Sequence, residues 1–455
     1  MTTEVTVTPK QVPAVKTKYR CIQTAIPAPG SIPVLEALSR DEPRSMRGQP
    51  PIVWDHAEGF QVHDAYGNTW MDWSSGVLVA NAGHGRREIV DAICKQAQEE
   101  LIHNYCFPSK VRAQLVNKLA ELAPEGLNKV FLLTTGAETT ECAFKLARTH
   151  GRAAGGDKKI AMVSFEGAFH GRTLGAQMMG GIPALKDWIV NMDPDMVQVP
   201  FPDGFRNTDT SFEGFLKALE AKGFGPDRIC GVISETYQGG SCAFWPTEFA
   251  KQMREWCRKH DIVLIFDEVQ AGFGRTGTMW GFEHYGVLPD VFCCGKGITS
   301  GLPLSAVIGR AELMDQYPPG SMTSTHTGNP VCAAAALANL DIVVKEKLHE
   351  QAAKTGAVLH AGLNQVKARF PAVCGAVMGK GMVAGLHLVK PGTKDPDAAL
   401  AKTVVDKCVE KGLLMFAPVG FGGGTVKIAP PLITPEEAVR EGLEVLAEAI
   451  QEALS

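Results

Sequence analysis

Between Asp261 and Leu304 the chain reads DIVLIFDEVQAGFGRTGTMWGFEHYGVLPDVFCCGKGITSGLPL, and this stretch restricts the possible folds more than any other. Ile262 to Phe266 is an unbroken apolar run of strand length, which suits a strand covered on both faces inside a parallel sheet. Asp267 and Glu268 follow at once, so two acids stand at the strand's carboxyl end, where open α/β sheets bind ligands. A second apolar run, Val291 to Cys294, leads into Gly295-Lys296-Gly297, whose glycines clear space around one amine. Each residue also has an ordinary reading: a strand-end Asp often caps a helix, and a lysine in a glycine-rich turn is usually solvated.

Taken together, a carboxylate and a lysine, each at the end of a buried strand, meet the needs of pyridoxal phosphate chemistry. A lysine forms a Schiff base with the cofactor aldehyde, and a carboxylate keeps the pyridine nitrogen protonated. The flanking sequence is more specific. LIFDEVQAGFGRTG, PD and GKGITSGLPLSAVIG occur in that order and resemble the signature region of class III aminotransferases, the ω-aminotransferase group of fold-type I pyridoxal phosphate enzymes. The resemblance covers nearly the whole chain after about residue 25. It implies an α/β fold of type I, with a mostly parallel central sheet in a large domain and a small α+β domain. The expected division is an N-terminal arm over 1–50, the first part of the small domain over 51–75, the large cofactor domain over 76–345, and the C-terminal small domain over 346–455.

Composition agrees with a large enzyme: 455 residues at 45% hydrophobic can bury a sizeable core. A net charge of -4 gives no basic excess to neutralise phosphates, which argues against a nucleic-acid partner. The longest apolar tract, Val331 to Val344, is interrupted by Asn339 and Asp341, and no apolar run marks a signal peptide, so no membrane role and a cytoplasmic location are expected. The 12 cysteines lack CxxC spacing and the 12 histidines lack HExxH, so no metal site is expected and the thiols read as reduced and buried.

In chain order, the Pro- and Thr-rich first 50 residues read as an extended arm with little helix, and Gly59 to Asp72 as a β-hairpin turning at Asp64 to Asn68. The segment Ser75 to His84 resembles the family's substrate-side segment, with Val77 in it. A strand over Val130 to Leu133 followed by a helix puts Gly136 and Ala137 at a helix N-terminus, a natural phosphate site or an ordinary cap. The resemblance favours phosphate, since the family's turn matches Gly136-Ala137-Glu138. It also implies that Phe169, followed by His170-Gly171, stacks on one face of the cofactor ring, and that Val269 packs on the other. Gln270 matches the group near the ring hydroxyl, Glu235 the first acid of EPVQGEGG, and Thr325 the residue that reaches the phosphate of a neighbouring subunit. A homodimer or dimer of dimers is therefore expected. Residues 180–225, dense in Pro, Gly and Asp, say little about chemistry.

Two decoys fail on context. Gly272-Phe-Gly274-Arg-Thr-Gly277 fits GxGxxG but starts beyond the strand end and opens no amphipathic helix. GKG lacks the spacing and hydroxyl of a Walker A loop.

The implied reaction is transamination from an amino acid, ω-amino acid or amine to a 2-oxo acid, with Lys296 and Asp267 as catalytic residues. Racemisation, or decarboxylation of dialkylglycines, is the alternative on the same fold. GFGGGTVKIAPPLITPEE resembles the decarboxylase C-terminus, but Val77 stands where that pattern has Gln. Relatives that use glutamate clamp it with an Arg near the C-terminus and neutralise that Arg with the second Glu of QGEGG. Lys427 and Gly240 occupy those places here, which implies a point-charge carboxylate anchor and a substrate pair other than glutamate with oxoglutarate.

Overall fold

The computed structural model describes residues 8–455. It divides into two compact units, one comprising Arg87–Glu350, the other the described residues through Arg86 together with Gln351–Ser455.

The first unit is built on a seven-stranded sheet. Its spatial order is Lys129–Leu133, Ser305–Gly309, Val291–Cys294, Val263–Asp267, Ile229–Glu235, Ala161–Phe165, Met196–Val199. Every neighbouring pair is parallel except those of Ser305–Gly309, which runs antiparallel to both its neighbours. Val263 to Asp267 is buried throughout, as the apolar run requires, and its register sets Asp267 beside Glu235 on one flank and Cys293 on the other. Three strand ends therefore converge on one edge of the sheet.

The Gly136–Gly155 helix follows the first strand. Thr135 and Glu138 form a reciprocal capping box at its start, and it stops at Gly156, whose φ of 73° suits glycine. Cys142, Ala143, Leu146 and Ala147 line its buried face, in one core with Met162, Cys230, Ile265 and Cys293, while Phe144 is partly buried against that core. Close approach is possible because Gly151 lacks a side chain: a Cβ there would lie 2.3 Å from the Lys159 carbonyl oxygen.

Residues 180–225 hold the Met196–Val199 strand and the Phe212–Ala221 helix, both hidden in sequence by the surrounding Pro, Gly and Asp. The region of the GxGxxG match forms turns and opens no helix, its next ordered segment being the short 3-10 turn Gly281–Tyr285.

In the second unit the hairpin forms as expected, with Gln61–His63 antiparallel to Thr69–Asp72. Its turn is closed by Asp64 Oδ1, which accepts from Tyr66 N and Asn68 N at 2.9 Å each. Trp70 is buried there with Ile22, Val62 and Leu414, and donates from Nε1 to the Val409 carbonyl at 2.9 Å. The C-terminal part supplies a three-stranded antiparallel sheet, Cys374–Lys380, Val383–Leu388 and Thr425–Ile428, and two packed helices, Ala398–Glu410 and Glu436–Ala453.

The arm departs from its reading as extended chain: Ile32–Asp41 is a helix of 10 residues. Pro33 falls in the first turn, where no N–H is needed, and no further proline occurs before Pro43.

Candidate active site

Asp267 is the centre of a buried polar group at the strand ends. Its Oδ1 accepts from Val269 N at 3.1 Å, and its Oδ2 lies 2.9 Å from His170 Nδ1. An ionised carboxylate offers acceptors alone, so His170 Nδ1 carries the proton. His170 Nε2 is buried with no partner among the described residues, a polar atom that a ligand or water in the site would satisfy.

Glu235 braces two loops. Its Oε2 accepts from Phe169 N at 3.1 Å and its Oε1 from Gly239 N at 2.9 Å. Space at Gly239 is tight: a Cβ would lie 2.5 Å from Gln270 Nε2 and 2.6 Å from Glu235 Oε1, so those side-chain ends would have to move. Burial pushes the Glu235 carboxyl up to about 7; nearby His170 opposes the rise and Asp267 adds to it.

Successive strand residues face opposite ways, so Glu268 turns from Asp267 into the core. Fully buried, it accepts from Gly281 N at 2.7 Å, Phe282 N at 3.0 Å and the Thr236 hydroxyl. Burial lifts it to about 7 against those three donors. Glu268 thus clasps the turns after the strand. The sequence reading gave it no role; its signal was an acid pair on a strand of period two.

Lys296 sits at the end of Val291–Cys294 with φ 44°, a left-handed conformation that costs a non-glycine residue about 1–2 kcal/mol. Burial lowers the pKa of its amine, opposed by Asp267 and Glu235. A lysine so placed has a larger neutral fraction, the form that attacks a carbonyl or takes a proton. Gly295 stands beside Val269 at ordinary contact distance: a Cβ built on it would lie 3.6 Å from Val269 Cγ1.

Gly136, Ala137 and the aromatic loop form one cradle. A Cβ on Gly136 would come within 3.0 Å of Val269 Cγ1, and one on Gly171 within 2.5 Å of Ala137 Cβ. Thr140 Oγ1 ties the loop to the helix by donating to the His170 carbonyl at 2.7 Å. The structure therefore gathers Gly136, Ala137, Phe169, His170, Glu235, Asp267, Val269, Gln270 and Lys296 at one end of one sheet. A helix N-terminus for phosphate, a buried acid backed by histidine, an aromatic and a valine for a flat ring, and a buried lysine fit pyridoxal phosphate.

The remaining sequence-chosen residues lie elsewhere. Gly240 is in the turn after Glu235, and Thr325 is exposed in the loop before the Pro330–Lys345 helix. Val77 and Lys427 belong to the other unit. Val77 is 46% exposed in a turn where Ser75, Gly76, Val77 and Leu78 all have positive φ, 51° to 67°. Asp72 pins that turn: its Oδ1 accepts from Ser74 N at 2.7 Å, and its Oδ2 from Gly76 N at 3.1 Å and lies 2.7 Å from His84 Nε2. Trp73 O accepts from Ala429 N at 2.8 Å and Ser75 Oγ donates to Ala429 O at 2.5 Å, which joins the turn to the end of the strand carrying Lys427. Lys427 is only 3% exposed. It does not run out to solvent as an edge-strand lysine ordinarily does.

Fold and site define a fold-type I pyridoxal phosphate enzyme. Residues 44–450 match the family model described as aminotransferase class-III, and the chain belongs to that family. It is 32% identical to the 4-aminobutyrate aminotransferase of Mycobacterium leprae, over 94% of this chain and 97% of that protein. It is 33% identical to the isoleucine 2-epimerase of Lentilactobacillus buchneri, over 88% and 89%. Among solved structures it resembles an (S)-enantioselective omega-transaminase from Thermomicrobium roseum, with a TM-score of 0.85, 28% identity, and coverage of 93% and 98%. The chain is a pyridoxal phosphate-dependent aminotransferase, moving an amino group from an amino acid, ω-amino acid or amine to a 2-oxo acid. Among the described residues no helix is long and apolar enough to cross a membrane, and no group of three or more potential ligands could hold a metal.

Proposed function

We propose that this aminotransferase takes a small donor bearing a carboxylate, such as an ω-amino acid, with a 2-oxo acid other than oxoglutarate as the better acceptor. The observation that carries this reading is Lys427, a lysine buried to 3% exposure where the resembling enzymes place an arginine. A lysine presents a compact charge and lacks the planar fork that fixes a carboxylate in two bonds. Val77 and Gly240 complete the proposed substrate set, Gly240 because it removes the acid that would compete for such a cation.

Pyridoxal phosphate, when bound, would supply an electron sink for the donor carbon that bears the amine. Lys296 Nζ is the proposed point of attachment and the base that would take the proton from the donor carbon bearing the amine and hand it on to a different carbon. Asp267 would hold positive charge on the ring nitrogen, with His170 fixing the carboxylate's orientation. Gly136 and Ala137 would offer N–H groups to the phosphate, Phe169 and Val269 would flank the ring, Gln270 would lie on its hydroxyl side, and Glu235 would hold the loops around it.

A donor panel tests the substrate reading. Amino transfer is expected with α- and ω-amino acids, detected as the matching keto acid or aldehyde. Lys427→Met is expected to raise KM for carboxylate donors about 10- to 100-fold over simple amines, the loss of a hydrogen bond to a charge. Lys427→Arg shifts preference toward glutamate. Unchanged constants in both variants remove Lys427 from recognition. Racemisation or CO2 release without amino transfer would establish the alternative chemistry of the fold, which the epimerase relative illustrates; the aminotransferase relatives do not favour it.

We also propose a cytoplasmic homodimer, or a dimer of dimers, with sites shared between subunits. Free cysteines throughout the chain support a reducing compartment. Thr325 lies in a loop joined to a stretch of exposed apolar side chains: Tyr105 OH is 2.8 Å from Thr323 Oγ1, Asn329 Nδ2 donates to the Ile102 carbonyl at 2.9 Å, and Phe107 is 73% exposed. Such a patch favours burial against a second copy. Mixing inactive Lys296→Ala and Thr325→Ala subunits is expected to restore activity, since mixed dimers hold one intact site. No recovery, with exchange demonstrated by mass, would rule out sharing through Thr325.

A further inference from the structure

Away from the lysine and its carboxylates, the N-terminal hairpin brings two histidines together. His56 and His63 are Cα partners across the antiparallel strands His56–Glu58 and Gln61–His63, so their side chains leave the same face. The imidazoles stack with centroids 4.5 Å apart and planes 6° from parallel.

Each ring is anchored through its inner nitrogen. His56 Nδ1 lies 2.9 Å from Asp55 Oδ2, and His63 Nδ1 lies 3.0 Å from Thr69 Oγ1. A carboxylate only accepts, so His56 Nδ1 carries its proton and the Nε2 lone pair is left outward. Among the described residues the hydrogen bonds of both rings are made at Nδ1. This is how metal-binding histidines are held, with one nitrogen given to a carboxylate or hydroxyl and the other directed at the ion.

We propose that His56 and His63 form a two-imidazole site for a borderline divalent transition ion such as Zn2+ or Cu2+, with water completing its coordination. Imidazole suits these ions, and Zn–N distances of about 2.0–2.1 Å require the lone pairs to converge. The His56 side chain, 60% exposed, has room to swing from the parallel stack. Once bound, the ion staples one hairpin strand to the next and stabilises the folded chain by mass action.

The test uses holoenzyme freed of metal by a chelator and titrated with Zn2+ alone. Wild type is expected to bind one ion more than His56→Ala or His63→Gln. Saturating Zn2+ raises the Tm of wild type beyond that of either variant, while metal-free Tm and turnover stay alike in all three. Equal stoichiometry and affinity in the three proteins would overturn the proposal. So would loss of the extra ion only in a His103→Ala, His326→Ala variant, which removes another close histidine pair among the described residues, with centroids 5.5 Å apart.

Discussion

Replacing Lys296 with alanine is expected to lower multiple turnover at least about 10⁴-fold, because one side chain is proposed both to carry the cofactor and to shuttle the proton. Visible absorbance of the cofactor joined to the lysine disappears with it. A cooperative unfolding transition in the cofactor-free variant, compared with cofactor-free wild type, shows that the fold survives the substitution. Addition of a small primary amine restores part of the proton transfer and separates a chemical role from a structural one. Retained absorbance in the alanine variant would overturn the assignment.

Asp267→Asn is expected to keep the cofactor bound while lowering kcat about 10²- to 10³-fold, the scale on which removal of a single preorganised electrostatic partner acts. Asparagine replaces one carboxylate oxygen by an amide nitrogen, which only donates. It can accept from Val269 N or from His170 Nδ1, but the carboxylate accepts from both through separate oxygens. The variant also carries no charge to hold a ring nitrogen protonated. Cofactor absorbance with a KM near wild type, beside a collapsed kcat, is the expected signature. Wild-type turnover would make Asp267 a structural acid.

The residues legible in sequence were those whose neighbours in sequence are also their neighbours in space. A buried run ending in Asp267 announces a strand end, and Gly295-Lys296-Gly297 announces an amine in a cleared space. Gly136 and Ala137 stand one capping turn after a strand, as read. What sequence could not give were the long-range bonds. His170 meets Asp267 across 97 positions, and Glu268 takes its donors from residues 32, 13 and 14 positions away. Elements were missed where local composition misled. Pro33 starts the Ile32–Asp41 helix instead of preventing it, and the Met196–Val199 strand is too short to stand out among breakers. The burial of Lys427 was likewise invisible, because nothing in VKIAPP says whether a strand lysine turns in or out.

The antiparallel Ser305–Gly309 strand has a consequence for how the site is assembled. It pairs directly with Val291–Cys294, so Lys296 lies in a short connection between adjacent strands, residues 295–304. Asp267 and Glu235, in contrast, are aligned by parallel pairing, which needs a crossover, here the Thr247–Lys259 helix. Closing a loop costs entropy that grows with its length, and pairings distant in sequence form slowly. The amine is therefore set in place by a local, entropically inexpensive ribbon, whereas its carboxylate partners wait on long-range closure.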